Sequence, residues 1–384
     1  MVRLEKRSGI IAAVLGQPLT QSPNQAVFPI YFEQPTREQI MNGYERIRAT
    51  LERQPTDCLA FMPITMMFAA DQTGVSYGQY TADYRLLVEA QLETARKFDI
   101  DHVSCISDPV REAADCGGTI HYFDDQPPAV DESNALLKDK TLLKTLTVPN
   151  PFREGSRMND RVQAVRLLAE KVKGECFIEG WVEGPCAEAA DLRGINNLMT
   201  DFMDDPQFVQ DLFGFNVRMA TAFAQAQIDA GCDIIGIGDA AASLVGPRLY
   251  KNVVFPFEKL LVENIHAAGC RVRLHICGNI NRSLTDIGQL GCDLIDLDSM
   301  VSIEKARKET GEYQVLDGNL DPVKVLRNGT PEQIQTILAE CFRQAGMNYI
   351  VGAGCEVPRD TPHENLRAMR DFARQNNRTN ITIP

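Results

Sequence analysis

No apolar run among the 384 residues approaches the roughly 20 that a membrane-spanning helix requires. Positive charge is also scarce, at 39 Lys+Arg against 52 Asp+Glu, a formal net charge of −13. Nucleic acids and anionic membranes call for a basic face, so neither is an expected partner. The eleven cysteines are odd in number and irregularly spaced, so they outline no disulfide framework. The stretch MVRLEKRSGIIAAVLGQPLT shows no secretory cleavage pattern, and the expected compartment is a reducing cytoplasm. Most thiols then read as small buried apolar groups, among them Cys58, Cys105, Cys176, Cys232 and Cys292. No Gly-x-Gly-x-x-Gly follows the first strand pattern, which argues against a dinucleotide-binding open sheet.

What the chain does have is alternation. Short apolar runs stand at 59–64, 102–106, 176–182, 233–238, 271–276, 293–297, 313–317 and 348–353. Each is rich in β-branched or bulky residues, as strands buried on both faces should be. Amphipathic helical patterns fill about 79–98, 205–230, 247–268, 279–289, 302–310 and 331–346, and a last one covers 362–374. Glycines at 231, 269, 291 and 346 stop four of them just before the next run. Eight strands alternating with helices predict an α/β fold of the (β/α)8 TIM-barrel type. The expected organisation over 1–384 is a single barrel domain: a helical cap at 1–56, the barrel at 57–376, and an insertion at about 111–175 between the second and third strands. That insertion should hold a hairpin near Thr119–Phe123 and helices near 133–146 and 157–173.

Active sites of such barrels lie at the C-terminal ends of the strands. His275 and Cys277 are two apart at the end of the fifth run, so both side chains leave one face. Cys355 ends the eighth run, and barrel closure gathers all strand ends around one mouth. Two thiolates and an imidazole form a soft set suited to Zn²⁺, and three protein ligands with an exchangeable fourth are typical of a catalytic ion. Glu183, at the third strand end, is the candidate fourth ligand and a candidate catalytic carboxylate. Its alternative role is to cap the segment that follows. Asp239 is a second catalytic candidate, with helix N-capping as its alternative. Asp108, Asn279, Asp298 and Asn319, at other strand ends, are candidate substrate contacts, although Asp317-Gly318-Asn319 could be only a turn. Met66, beside Phe61, Met62, Met67 and Phe68, would suit an aromatic substrate ring or simply pack.

These same residues carry a resemblance. The sequence resembles the uroporphyrinogen decarboxylase superfamily over about 55–375, in particular its zinc-dependent corrinoid methyltransferase branch. His275-Ile276-Cys277-Gly278 with Cys355 is similar to the zinc motif of the methylcobamide:coenzyme M methyltransferases and the O-demethylase methyltransferases. Asp317-Gly318-Asn319-Leu320-Asp321-Pro322 resembles the superfamily's turn after the seventh strand. Ser107-Asp108-Pro109 with Glu112-Ala113 resembles its second strand end. The arginine-rich N-terminal segment by which the decarboxylases grip a polycarboxylate has no counterpart in 1–70, where Arg37, Arg46, Arg48 and Arg53 follow a helical pattern instead.

The resemblance implies Zn²⁺ and a corrinoid carried by a partner protein. The expected activity is transfer of a methyl group from a small-molecule donor, a methoxylated and aromatic one or another O-methyl compound, to the corrinoid's Co(I). Trp181-Val182-Glu183-Gly184-Pro185 and Asp191-Leu192-Arg193-Gly194 look most like the enzymes on the methyl-donor side. The alternatives are a coenzyme M-type methyltransferase, for which Arg248, Arg282 or Arg359 would have to anchor a sulfonate, a metal-free uroporphyrinogen decarboxylase, and a barrel that only binds. A homodimer is the expected assembly.

Overall fold

The computed structural model describes residues 40–377; the part of the expected 1–56 cap that falls within 1–39 lies outside the described residues. Seven of the eight apolar runs form one curled parallel sheet with helices packed around it. In chain order the strands are β1 (His102–Ser104), β4 (Phe177–Glu183), β5 (Ile234–Gly238), β6 (Arg271–Ile276), β7 (Leu294–Leu297), β8 (Val315–Gly318) and β9 (Tyr349–Ile350), and they pair in that order. The numbers omitted belong to a small antiparallel hairpin, β2 (Ile120–His121) with β3 (Ala129–Val130).

The run at 59–64 contains Pro63, which has no N–H to donate, and it forms only a bridge. That bridge nonetheless closes the circle. On one side Met62 N–H donates to Val351 O at 3.0 Å and Val351 N–H to Ala60 O at 2.9 Å; on the other, Asp101 N–H donates to Phe61 O at 3.0 Å. Eight staves therefore surround one core, as the alternation predicted.

Several expected helices differ. The pattern at 133–146 is a series of 3₁₀ turns, because Asp131 and Asp139 accept the N–H groups of Ser133 and Thr141 and hold the chain in tight turns. The pattern at 279–289 shrinks to Leu284–Ile287, since Asn281 ties its side chain to Asn279 and to Met300 O. The pattern at 247–268 is broken by a π-helical turn over Tyr250–Val254. Short helices at Met67–Thr73, Pro185–Arg193 and Ile195–Asp204 were not expected.

The helix Gly43–Leu51 closes the end where the strands begin. Its Ile47 packs with Ala60, Met62, Phe177, Ile234, Leu294, Val315 and Ile350, nearly all at strand starts. Arg46 anchors it through buried ion pairs to Asp57 and Asp101, at 2.8 and 2.5 Å. With that end packed shut, access from solvent is left to the opposite mouth.

Candidate metal centre at the barrel mouth

Strand β6 places Arg273, His275 and then Cys277 on one inward face by its two-residue period. Immediately after, Gly278 takes φ +94°, a left-handed conformation open to glycine, and its N–H donates to Asp298 Oδ2 at 2.9 Å. The chain thus turns away as soon as the Cys277 thiol is delivered. Cys355 arrives from the loop after β9. His275 Nε2 lies 2.9 Å from Cys277 Sγ and 3.7 Å from Cys355 Sγ, and the two sulfurs are 3.7 Å apart.

Among the described residues this is the one group of three potential metal ligands whose donor atoms all lie within 4.8 Å of one another. Tetrahedral zinc with sulfur ligands at about 2.3 Å sets sulfurs about 3.8 Å apart, close to the spacing of the two cysteines. The donor set therefore fits a soft tetrahedral ion with one side open. The hydrogen bond from Cys277, and then His275, draws Cys355 down to about 4 against the effect of burial, while that same bond pushes Cys277 up.

Beneath the cluster, in hydrogen-bond register with His275, lie Asp296 on β7 and Asp317 on β8. Asp296 Oδ2 sits 2.8 Å from His275 Nδ1, leaving Nε2 to face the sulfurs. Such a carboxylate fixes the ring and raises its basicity as a ligand. Arg273, 1% exposed, reaches Glu179, Asp296 and Asp317 at 3.1, 2.8 and 3.0 Å. Asp296 is thereby held below the ordinary range in spite of burial, chiefly by Arg273 and His275, while burial and Asp296 push Asp317 up.

Above these groups opens a cavity of about 160 Å³. Its walls are Ile64, Met66, Ile106, Pro109, Trp181, Gly238 and Ala240, with Asp108, Glu183 and Glu356 alongside the three ligand candidates. Trp181 fits only because β5 carries glycines opposite it: a Cβ on Gly236 would lie 2.2 Å from the indole, and one on Gly238 2.9 Å.

The expected site residues divide accordingly. Met66 and Asp108 line the cavity, and Asp108 is paired to Arg157 at 2.5 Å. Glu183 lines it too but stands outside the ligand cluster. Its Oε1 accepts from Arg111 at 3.0 Å and from Trp181 Nε1 at 3.3 Å. Asp239, expected to be catalytic, lies behind the wall. It accepts the N–H groups of Cys186 and Ala187 at 3.3 and 2.6 Å and caps the helix Pro185–Arg193. Asp298 braces Gly278 and Met300, and Asn319 donates to the carbonyls of Asp298 and Val301. Asn279 accepts from Asn281. These last three shape the loops of the mouth and do not line the cavity. Sequence reasoning missed Asp296, Arg273 and Trp181. An acid between the apolar residues Ile295 and Leu297 of the buried run DLIDL was the available signal for Asp296.

The methylcobamide:CoM methyltransferase MtbA of Methanosarcina mazei is 28% identical over 340 residues, covering 86% of this chain and 97% of that protein. A uroporphyrinogen decarboxylase of Trichodesmium erythraeum is 23% identical, covering 76% and 82%. Among solved structures, a methyltransferase from Methanosarcina mazei superposes with a TM-score of 0.80 at 20% identity, over 87% of this chain and 99% of that one. Residues 42–376 match the uroporphyrinogen decarboxylase (URO-D) family, so the chain belongs to that family.

Proposed function

We propose that this family member is a zinc-dependent methyltransferase that passes the methyl group of a neutral methoxylated, aromatic compound to the Co(I) corrinoid of a partner protein. The observation that carries this reading is the cavity: a soft ligand set on one wall, apolar walls elsewhere, three carboxylates, and no Lys or Arg lining it among the described residues. A sulfonate-bearing thiol such as coenzyme M, named in the Methanosarcina mazei relative MtbA, would meet carboxylates and no free cation among the described lining residues. Arg359, one candidate anchor, is engaged by Asp71 and Asp125. Neither Arg248 nor Arg282 lines the cavity. An octacarboxylate fits still less well, which disfavours decarboxylation of uroporphyrinogen.

His275, Cys277 and Cys355 would hold the zinc. Bound there, zinc supplies Lewis-acid polarisation to a small-molecule atom in the cavity. Asp296 keeps the His275 ring in one orientation, and Arg273 keeps Asp296 in place. Trp181, Ile64, Ile106 and Met66 grip the apolar body of the donor and exclude water, which strengthens the electrostatics at the reacting atom. Glu183, with Oε1 pinned by Arg111 and Trp181, stands at the wall as a proton donor for the departing oxygen. The open mouth receives the corrinoid face.

The test is single-turnover methyl transfer to cob(I)alamin from methoxyphenols, methanol, methylamines and methyl-coenzyme M, followed by the cobalt spectrum. Methoxyphenols should react fastest. Preference for methyl-coenzyme M would transfer the assignment to the thiol branch, and full activity on uroporphyrinogen without zinc would replace it with decarboxylation.

A further inference from the structure

Transfer from an ether to Co(I) consumes one proton. The O–CH3 bond breaks with its electron pair left on oxygen, cobalt supplies the pair for the new Co–CH3 bond, and oxygen takes up H⁺ to leave as the alcohol or phenol. In the proposed function the corrinoid covers the mouth, so that proton has to enter by another route. A group of carboxyls, Glu112, Glu188 and Asp191, stands near Glu183 at the cavity wall, close enough to bear on one another's charge. Strand β4 ends in Glu183, and the helix Pro185–Arg193 starts two residues later. Glu188 lies in its first turn, and Asp191, three residues on, shares its side of the helix and is partly exposed. From the helix Arg111–Asp115, Glu112 Oε1 accepts the Glu183 N–H at 3.0 Å. Arg111 reaches Glu183 at 3.0 Å and Glu112 at 3.4 Å.

We infer that Glu188 and Asp191 form a proton conduit linking the protein surface to Glu183 at the cavity wall, delivering the proton that the methyl transfer consumes; this rests on the proposed function. Glu188 is 1% exposed, and neither carboxyl oxygen has a hydrogen-bond partner. A buried carboxyl in that state is fit neither for a cap nor for an ion pair, and four carboxyls around one guanidinium are tenable only with protons held among them. Burial, with the charges of Glu112, Asp191 and Glu183, pushes Glu188 well above the carboxylate range; Arg111 opposes. Burial and then Glu112 push Asp191 up to about 8, again against Arg111. The other titratable groups bearing on these carboxyls are Cys116, Asp108, Asp239 and Glu132. Glu188 and Asp191 touch no metal ligand and act through Glu183, so they are relay residues.

The experiment uses the zinc-loaded full chain with cob(I)alamin and a methoxyphenol, comparing wild type with Glu188→Gln, Glu188→Asp and Asp191→Asn. Loss of a proton-transfer group costs on the order of 10- to 100-fold here, at or below the usual range for general acids. Glu188→Gln should slow single turnover by that factor, raise its solvent deuterium isotope effect and alter its pH profile, at unchanged zinc content and unfolding midpoint. Glu188→Asp should restore most of the rate, and Asp191→Asn should fall between. In the resting protein, the infrared band of a protonated carboxyl at neutral pH should be lost in Glu188→Gln. Wild-type rate and isotope effect in Glu188→Gln, or no such band, overturns the conduit alone. A slowed Glu188→Gln that has also lost zinc or stability, without rescue by aspartate, shows a structural role and overturns it too. A wild type that turns over no methyl donor overturns the proposed function, and the conduit with it.

Discussion

Two arginines are wholly buried near the mouth, and each is outnumbered by carboxylates, yet the two neighbourhoods behave differently. Arg273 reaches three acids directly, and one of them, Asp296, passes the constraint on to His275. Arg111 reaches two, and Glu188 and Asp191 lie beyond it without a counterion of their own. Around Arg273 the charges are spent on geometry: strand register delivers the carboxylates to the guanidinium at hydrogen-bond distance. Around Arg111 the acids come from two helices and a strand end that do not share a register, and burial pushes Glu188 and Asp191 above the carboxylate range. Direct pairing thus sets where a buried acid points, while burial raises acids in both groups, Asp317 beside Arg273 as well as Glu188 beyond Arg111.

The largest effect should come from the ligands that the Arg273 group supports. Cys277→Ser or Cys355→Ser should take the protein from about one zinc per chain to none, measured by metal analysis after dialysis, with methyl transfer lost. Retained stoichiometric zinc would remove these residues from the ligand set. Next come the arginines. Arg273→Met leaves buried carboxylates unpaired and should lower unfolding free energy by about 3–5 kcal/mol in denaturant melts. Arg111→Met should cost less, because burial already pushes Glu188 and Asp191 above the carboxylate range; equal losses would erase the contrast between the two clusters. Asp296→Asn should weaken zinc binding about 10- to 100-fold in competition with a chromophoric chelator, the usual cost of losing a carboxylate behind a histidine ligand.

A third acid group lies behind the wall, where Tyr250 donates to Glu258 at 2.5 Å and Asp239 lies against Glu258. Burial raises Glu258 from 4.5 to about 7, against the hydrogen bonds of Tyr250 and Asp239. Because the folded value exceeds the unfolded one, the folded protein binds the extra proton between these pH values. Stability should fall as pH rises from about 4.5 to about 7, by at most about 1.4 kcal/mol per pH unit from this group. Glu258→Gln should flatten that slope in pH-dependent melts, and an unchanged slope would assign the proton elsewhere.

Much of the architecture was legible in the alternation of runs and helical patterns, because buried parallel strands need continuous apolar stretches and glycine ends helices in a recognisable way. His275 and Cys277 were legible for an equally simple reason: a period of two is the same in any strand. For other strand-end residues the end of a strand gives a location and not a direction. Asp239 swung back to cap a helix, and Asp298 and Asn319 turned to backbone groups, as short polar side chains beside unpaired N–H and C=O groups tend to do. Pro63 hid how little of the first run would pair, and Asp131 and Asp139 made turns where a helix was expected.

By itself the sequence determined the alternation, the acidic balance and the soft ligand types at two strand ends, since each of these is a property of residue identity and spacing. Only the tertiary structure decided that Cys355 meets His275 and Cys277, that Asp296 stands behind the histidine, that Glu183 answers to Arg111, and that Glu188 is buried without a partner. Those are contacts between segments far apart in the chain, and they follow from barrel closure and strand register, which no local pattern encodes.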